Sequence, residues 1–173
     1  LILLLLVFAL TRPFIESSGI DGRNLCLLID HSASMQTQEE DGTRLALAQE
    51  AALKVIDAME RGDKAMVIGF AESADVRCEL TDDRYHLRSA VRSIEAHDTR
   101  SNVKDAAQII RSLAPVNPDV TTVVNGLEVL LFSDGNIVEG DRLAALSLPL
   151  QYVKTGSTRK NLGITQFSVR NTA

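Results

Sequence analysis

The chain has no tryptophan, two tyrosines and five phenylalanines in 173 residues, a shortage that removes the stacking platforms on which bases and sugars are held. A cationic surplus is missing too. Lys and Arg number 18 against 23 Asp and Glu, a formal charge of -5, and the bases form no stripe that could follow a phosphate backbone, so no nucleic-acid partner is expected. Only two cysteines occur, Cys26 and Cys78. They lie far apart, each in an expected strand, so two buried free thiols are expected, with a disulfide as the alternative. His31, His86 and His97 have no mutual metal-ligand spacing, and a surface role is expected for all three. No G-x-S-x-G elbow surrounds Ser32 or Ser34, which argues against a serine hydrolase. The chain also lacks internal repeats and low-complexity tracts.

What is present is an apolar content of 45%, enough to close the core of one ordinary domain. Residues 1–10 are wholly apolar, but at 1.5 Å rise per helical residue they cross only about half of a hydrocarbon core. Residues 1–14 are therefore expected to be the end of a transmembrane helix stopped by Pro13, in a chain that starts at Leu because it is the downstream piece of a longer protein. A secretory segment is the rival reading, although no basic stretch precedes the run and Thr11-Arg12-Pro13-Phe14 is unlike a small-residue cleavage site. A buried N-terminal element is the third. Residues 15–23 are polar and rich in Gly and Ser, as a linker would be. Arg12 and Arg23 flank it, but Glu16 and Asp21 accompany them, so charge does not decide which side of a membrane the remainder occupies.

From Asn24 the pattern alternates strand and helix. Residues 25–29 are an apolar run too short for a helix, ending at Asp30 as a strand buried on both faces would. Residues 43–60 place Leu45, Ala48, Ala52, Val55, Ile56 and Met59 at three- and four-residue spacing, predicting an amphipathic helix capped by Asp41 or Thr43 and stopped by Arg61-Gly62-Asp63. Residues 65–70 read as a second buried strand, and 76–80 as a short antiparallel edge strand beside it. A helix capped by Thr81 or Asp82 is expected to run to Ile94, with Arg84, Arg88 and Arg92 on a solvated face. A further helix is expected over 102–114, a buried strand over 127–132, a weak helix over 141–147 and a strand over 150–153. This alternation predicts an α/β fold: a doubly wound, mostly parallel central sheet with helices on both faces and one short antiparallel edge strand. Its binding crevice is expected at the carboxyl ends of the strands.

Three polar clusters fall at that end. Asp30-His31-Ser32-Ala33-Ser34 presents one carboxylate and two hydroxyls at alternate positions. Ser101, or Thr99 as its alternative, adds a hydroxyl before a helix, and Asp134 adds a carboxylate after a strand. Such hard oxygen donors suit a small hard cation, Mg²⁺ or else Mn²⁺ or Ca²⁺, rather than Zn²⁺ or copper. The expected metal set is Asp30, Ser32, Ser34, Ser101 and Asp134.

These residues resemble the von Willebrand factor A domains, whose metal-ion-dependent adhesion site carries D-x-S-x-S after strand 1, here Asp30-His31-Ser32-Ala33-Ser34. The family's Asp-Gly after an apolar strand is matched by Leu130-Leu131-Phe132-Ser133-Asp134-Gly135. Its Thr before a helix, usually within G-G-T-x-φ-x-x-A where φ is apolar, is replaced by Ser101, with Val103 and Ala106 in step. The resemblance covers about residues 24–155 and leaves 156–173 as the start of a following β segment. It implies a Rossmann-like fold in which the hydroxyls bind the metal directly and the Asp residues bind directly or through water. One coordination position is then left for an acidic side chain of a protein partner. The Leu-rich start, with Ala9-Leu10-Thr11-Arg12-Pro13, is similar to bacterial membrane-anchored aerotolerance-type (Bat-like) members. That likeness implies a non-catalytic domain facing away from the cytoplasm at the bacterial inner membrane. Two other functions compete. A haloacid-dehalogenase-like phosphohydrolase would use Asp30 as nucleophile, but it needs a second Asp where Ser32 stands. A scaffold that has lost its metal would associate regardless of chelation.

Overall fold

The structure is a computed structural model that describes residues 22–113, 126–146 and 148–156. The expected membrane segment, nearly all of the linker and the β segment expected beyond Gly156 lie outside the described residues. Among the described residues no helix is long and apolar enough to cross a membrane.

Strand β1 (Asn24–Asp30) is buried from Leu25 onward and forms the centre of a five-stranded sheet. The elements that follow are a 3₁₀ turn (Ala33–Gln36), a hairpin of β2 (Gln38–Glu39) and β3 (Gly42–Thr43), and helix α1 (Arg44–Asp57). Next come β4 (Lys64–Phe70), β5 (Ala74–Thr81), α2 (Arg84–Arg92), α3 (Lys104–Leu113), β6 (Leu127–Ser133), the single-turn α4 (Asp141–Ala144) and β7 (Leu150–Lys154). The sheet order is β5-β4-β1-β6-β7. β1 runs parallel to both β4 and β6, β6 runs parallel to β7, and only β5 is antiparallel, at the edge beside β4. The chain thus builds to one side of β1 and then crosses to β6 on the other. A crevice opens where the order reverses, at the carboxyl ends of β1 and β6.

Period-two alternation in the central strands divides the core into two layers. Leu25, Leu27 and Ile29 of β1 pack with Val67, Leu130 and Phe132 against Ala48, Ala52 and Ile56 of α1 and Leu87 and Val91 of α2. Cys26 and Leu28 pack on the opposite face with Ile68, Phe70, Val129 and Leu131 against Val103, Ala106 and Ile110 that lead into and along α3. Both layers consist of side chains almost wholly removed from water, each buried Val, Leu, Ile or Phe contributing roughly 1.5–3 kcal/mol.

The structure corrects several boundaries. The first helix starts at Arg44, with Thr43 as its cap, because the Thr43 hydroxyl accepts the Ala46 N–H. Asp83, rather than Thr81 or Asp82, caps α2 by accepting the Tyr85 and His86 N–H groups. The stretch read as a polar loop after Ser34 contains the 3₁₀ turn and the β2–β3 hairpin. That hairpin is too short for a periodic signal, and Gly42 at φ +131° permits its turn. Both cysteines are free thiols; Cys26 is buried and Cys78 partly so.

Candidate functional site

Asp30 ends β1 and is completely buried. Its carboxylate is a hub: Oδ1 accepts the Ser32 N–H at 3.0 Å, and Oδ2 accepts the Ser101 hydroxyl at 3.0 Å and the Ser133 hydroxyl at 2.7 Å. The Ser32 and Ser34 hydroxyls lie 3.3 Å apart. The loop bearing Ser101 is tied in by the Ala33 N–H, which donates to the Thr99 carbonyl at 3.0 Å. The Thr99 hydroxyl is buried and has no hydrogen-bond partner among the described residues. Ser32, Ser34, Thr99 and Ser101 line one cleft with Ala33, Arg100, Asn136 and Val138.

The structure therefore gathers Asp30, Ser32, Ser34 and Ser101, and sets Thr99 beside Ser101 at the same opening. Asp134 is arranged differently. Its Oδ2 accepts Arg44 Nη1 at 2.7 Å and its Oδ1 accepts the Asn136 N–H at 3.0 Å. Arg44 also donates from Nε to Glu39 Oε1 at 2.8 Å. All three of these charged side chains are at most 5% exposed. The carboxylate at the end of β6 thus faces a guanidinium from the first residue of α1, and the hairpin before α1 supplies the opposing acid. Gly156, at φ +87°, closes over this pair: a Cβ there would lie 2.7 Å from both Arg44 Nε and Glu39 Oε1.

Ser133, Arg44 and Glu39 were not expected in the site. A signal for Ser133 did exist, because alternation along β6 puts it on the same face as Val129 and Leu131, the face onto which Asp30 of β1 also projects. Tyr152 of β7 reinforces the strand end by donating to the Ser133 carbonyl at 3.0 Å. Burial, and then the nearby Asp134 and Asp30 charges, push its phenol above the usual tyrosine range.

His31 departs from its expected surface role. It is 5% exposed, its backbone N–H donates to the Phe70 carbonyl and its backbone carbonyl accepts the His97 backbone N–H. Its ring meets His97 edge-on with centroids 5.0 Å apart. Burial first, then the neighbouring His97 and Arg77, hold this imidazole below the ordinary histidine value. His86 is exposed and bonded to Asp83.

The donor set fits a hard cation, since oxygen atoms alone converge and one buried hydroxyl lacks a partner. Among the described residues no three His, Cys, Asp or Glu side chains gather as a metal-holding group, so an ion at this opening would rest mainly on hydroxyls.

The profile of the von Willebrand factor type A domain matches residues 25–136. A UPF0353 protein of Mycobacterium leprae is 29% identical over an alignment of 115 residues that covers 63% of this chain and 33% of that protein. The chain thus spans about a third of the length of this curated relative. The crystal structure of the conserved hypothetical protein BatB from Bacteroides thetaiotaomicron is similar in fold, with a TM-score of 0.64, 20% identity and coverage of 77% of this chain and 66% of that one. An aerotolerance-related membrane protein from Bacteroides fragilis gives the same TM-score and identity over 86% of this chain and 77% of its own.

Proposed function

Because the chain belongs to the von Willebrand factor type A domain family, we propose that it is a non-catalytic module that binds a protein partner through a divalent cation. The observation that carries this reading is the Asp30-centred ring of hydroxyls at the switch point of the sheet, with the unpartnered Thr99 hydroxyl at its mouth. Ser32, Ser34 and Ser101 would hold Mg²⁺ or Mn²⁺ by their hydroxyls, and Asp30 and Asp134 directly or through water. Thr99 is the alternative to Ser101. A bound ion supplies a positive charge able to take a carboxylate of the partner.

What the chain itself contributes is orientation and charge screening. Asp30 fixes the Ser101 and Ser133 hydroxyls and the Ser32 backbone N–H by accepting from them, and Arg44 screens Asp134, so little bare negative charge is left to repel an incoming acid. The phosphohydrolase alternative finds no support in the geometry, since both Asp30 oxygens are engaged and the side chain is buried, whereas a nucleophile must reach its substrate. The Bacteroides fragilis relative is described as a membrane protein, and the proposal includes an anchor in the N-terminal segment with the domain outside the cytoplasm.

One observation favours the metal-free scaffold as a second reading: Arg44 already supplies a cation to Asp134. Calorimetric titration of Mg²⁺ and Mn²⁺ into the chain separates the two. The metal reading expects saturable binding that disappears in folded Asp30→Ala and Ser32→Ala variants. Absence of binding in the parent would leave the scaffold.

A further inference from the structure

A second cleft lies near the site cleft, and both are lined without a single acid. The first, about 340 Å³, contains Arg100. The second, about 270 Å³, lies between α3 and α4 and is lined by Lys104, Arg111 and Arg142 with Ala107, Gln108 and Ala145. Their walls are linked through the backbone, because Val138 donates its N–H to the Ser101 carbonyl at 2.9 Å and accepts the Val103 N–H at 3.4 Å, and Lys104 is the next residue. Neither lining includes a carboxylate, in a chain with 23 acids and a net charge of -5. Among the described residues Arg142 pairs with Glu139, while Arg100, Lys104 and Arg111 form no ion pair. Asp105 and Asp141 lie in the first turns of α3 and α4 but outside both linings. The acids of the site itself are withdrawn, Asp30 by burial and Asp134 by Arg44.

We infer that Arg100, Lys104 and Arg111 form a basic track leading away from the Asp30 site, and that it selects a partner presenting an acidic segment rather than a single acidic side chain. The spacing sets the length of that segment. Lys104 and Arg111 lie seven residues apart on one helix, about 10 Å at 1.5 Å per residue, a span that about three residues of extended peptide cover at 3.3 Å each. Lys104, Ala107, Gln108 and Arg111 follow the three- and four-residue spacing of a single helix face, so the small Ala107 leaves room between the two charges. The partner is thus an extended stretch whose first acid meets the Asp30 opening beside Arg100 and whose further acids fall over Lys104 and Arg111.

This inference rests on the binding-module reading, yet it fails separately. The test adds hexaglutamate peptide, with hexaglutamine as control, to the full chain with Mg²⁺ and measures affinity at several salt concentrations. Expected are binding of hexaglutamate alone, weakening as salt rises, and about a tenfold loss in the Lys104→Glu, Arg111→Glu double variant, whose Mg²⁺ titration stays as in the parent. Equal binding by parent and double variant, equal binding of the two peptides, or no peptide binding by the parent overturns the track, even if Mg²⁺ binds. Charge-dependent peptide binding in a chain that takes up no Mg²⁺ supports the track and removes the metal from the proposed function.

Discussion

Arg44 shows how much one residue can control at this site. Its guanidinium is planar and forked, so Nε reaches Glu39 while Nη1 reaches Asp134, a division of labour that a lysine ammonium, a single point charge, does not reproduce. All three groups have lost nearly all their water. Removing the guanidinium would take this cation from two buried carboxylates at once, which costs about 3–5 kcal/mol. Arg44→Met should therefore lower the unfolding free energy by that amount in urea denaturation, and Arg44→Lys should fall between Met and the parent. A Met variant as stable as the parent would mean that the carboxylates are not held by this contact. Asp30, Ser32, Ser34, Ser101 and Asp134 stood out in the sequence because they lie in short polar clusters just after apolar strands or just before a helix. Arg44 escaped it because its partners stand 5 and 90 residues away, and nothing in local periodicity announces a contact across the sheet.

At the scale of elements, the first turn of α1 serves both the fold and the site. Thr43 caps the helix through the Ala46 N–H, and the next residue is Arg44. A cap substitution such as Thr43→Ala ordinarily costs about 1 kcal/mol. Fraying of this turn would also withdraw Arg44 from Asp134, so Thr43→Ala should cost toward the upper end of the range, about 2 kcal/mol, whereas Thr43→Ser, which keeps the acceptor, should stay close to the parent. Thermal or chemical unfolding of the two variants side by side measures the difference, and equal losses would show that the hydroxyl plays no part. Helices and buried strands were legible in the sequence because their apolar spacing extends over several turns or pleats. Caps and hairpins were less so. Thr81, Asp82 and Asp83 are consecutive residues all able to cap, and only the backbone path chooses Asp83. The β2–β3 hairpin, with two residues per strand, is recognisable only through the tertiary contact of Glu39 that it positions.

Across the whole molecule, the doubly wound α/β class was readable from strand and helix alternation, while the strand order, with its reversal beside β1, explains why residues from 30 to 134 meet at one end. The opposite end is fastened electrostatically. There Asp63, just before β4, accepts the Arg23 N–H and guanidinium and the Glu60 N–H, and Lys64 donates its N–H to the Arg23 carbonyl, so the entry to β1 is fixed to the entry to β4. The Arg23 hydrogen bond, followed by the Glu60 N–H, draws the Asp63 carboxyl down from 3.8 to about 2. A folded pKa below the unfolded one means that the native state favours the carboxylate. The stabilisation is therefore complete above about pH 4 and is lost as pH falls through about 2. Asp63→Asn removes the titrating group, so its urea-unfolding free energy should start lower at neutral pH yet decline less steeply than the parent's between about pH 4 and 2. Parallel declines in the two proteins would place the acid sensitivity elsewhere. Because Asp63 stands at the amino ends of the strands, away from the Asp30 hydroxyls, the same variant should leave any Mg²⁺ titration at neutral pH unchanged, which separates the stability of the sheet from the chemistry at its other end.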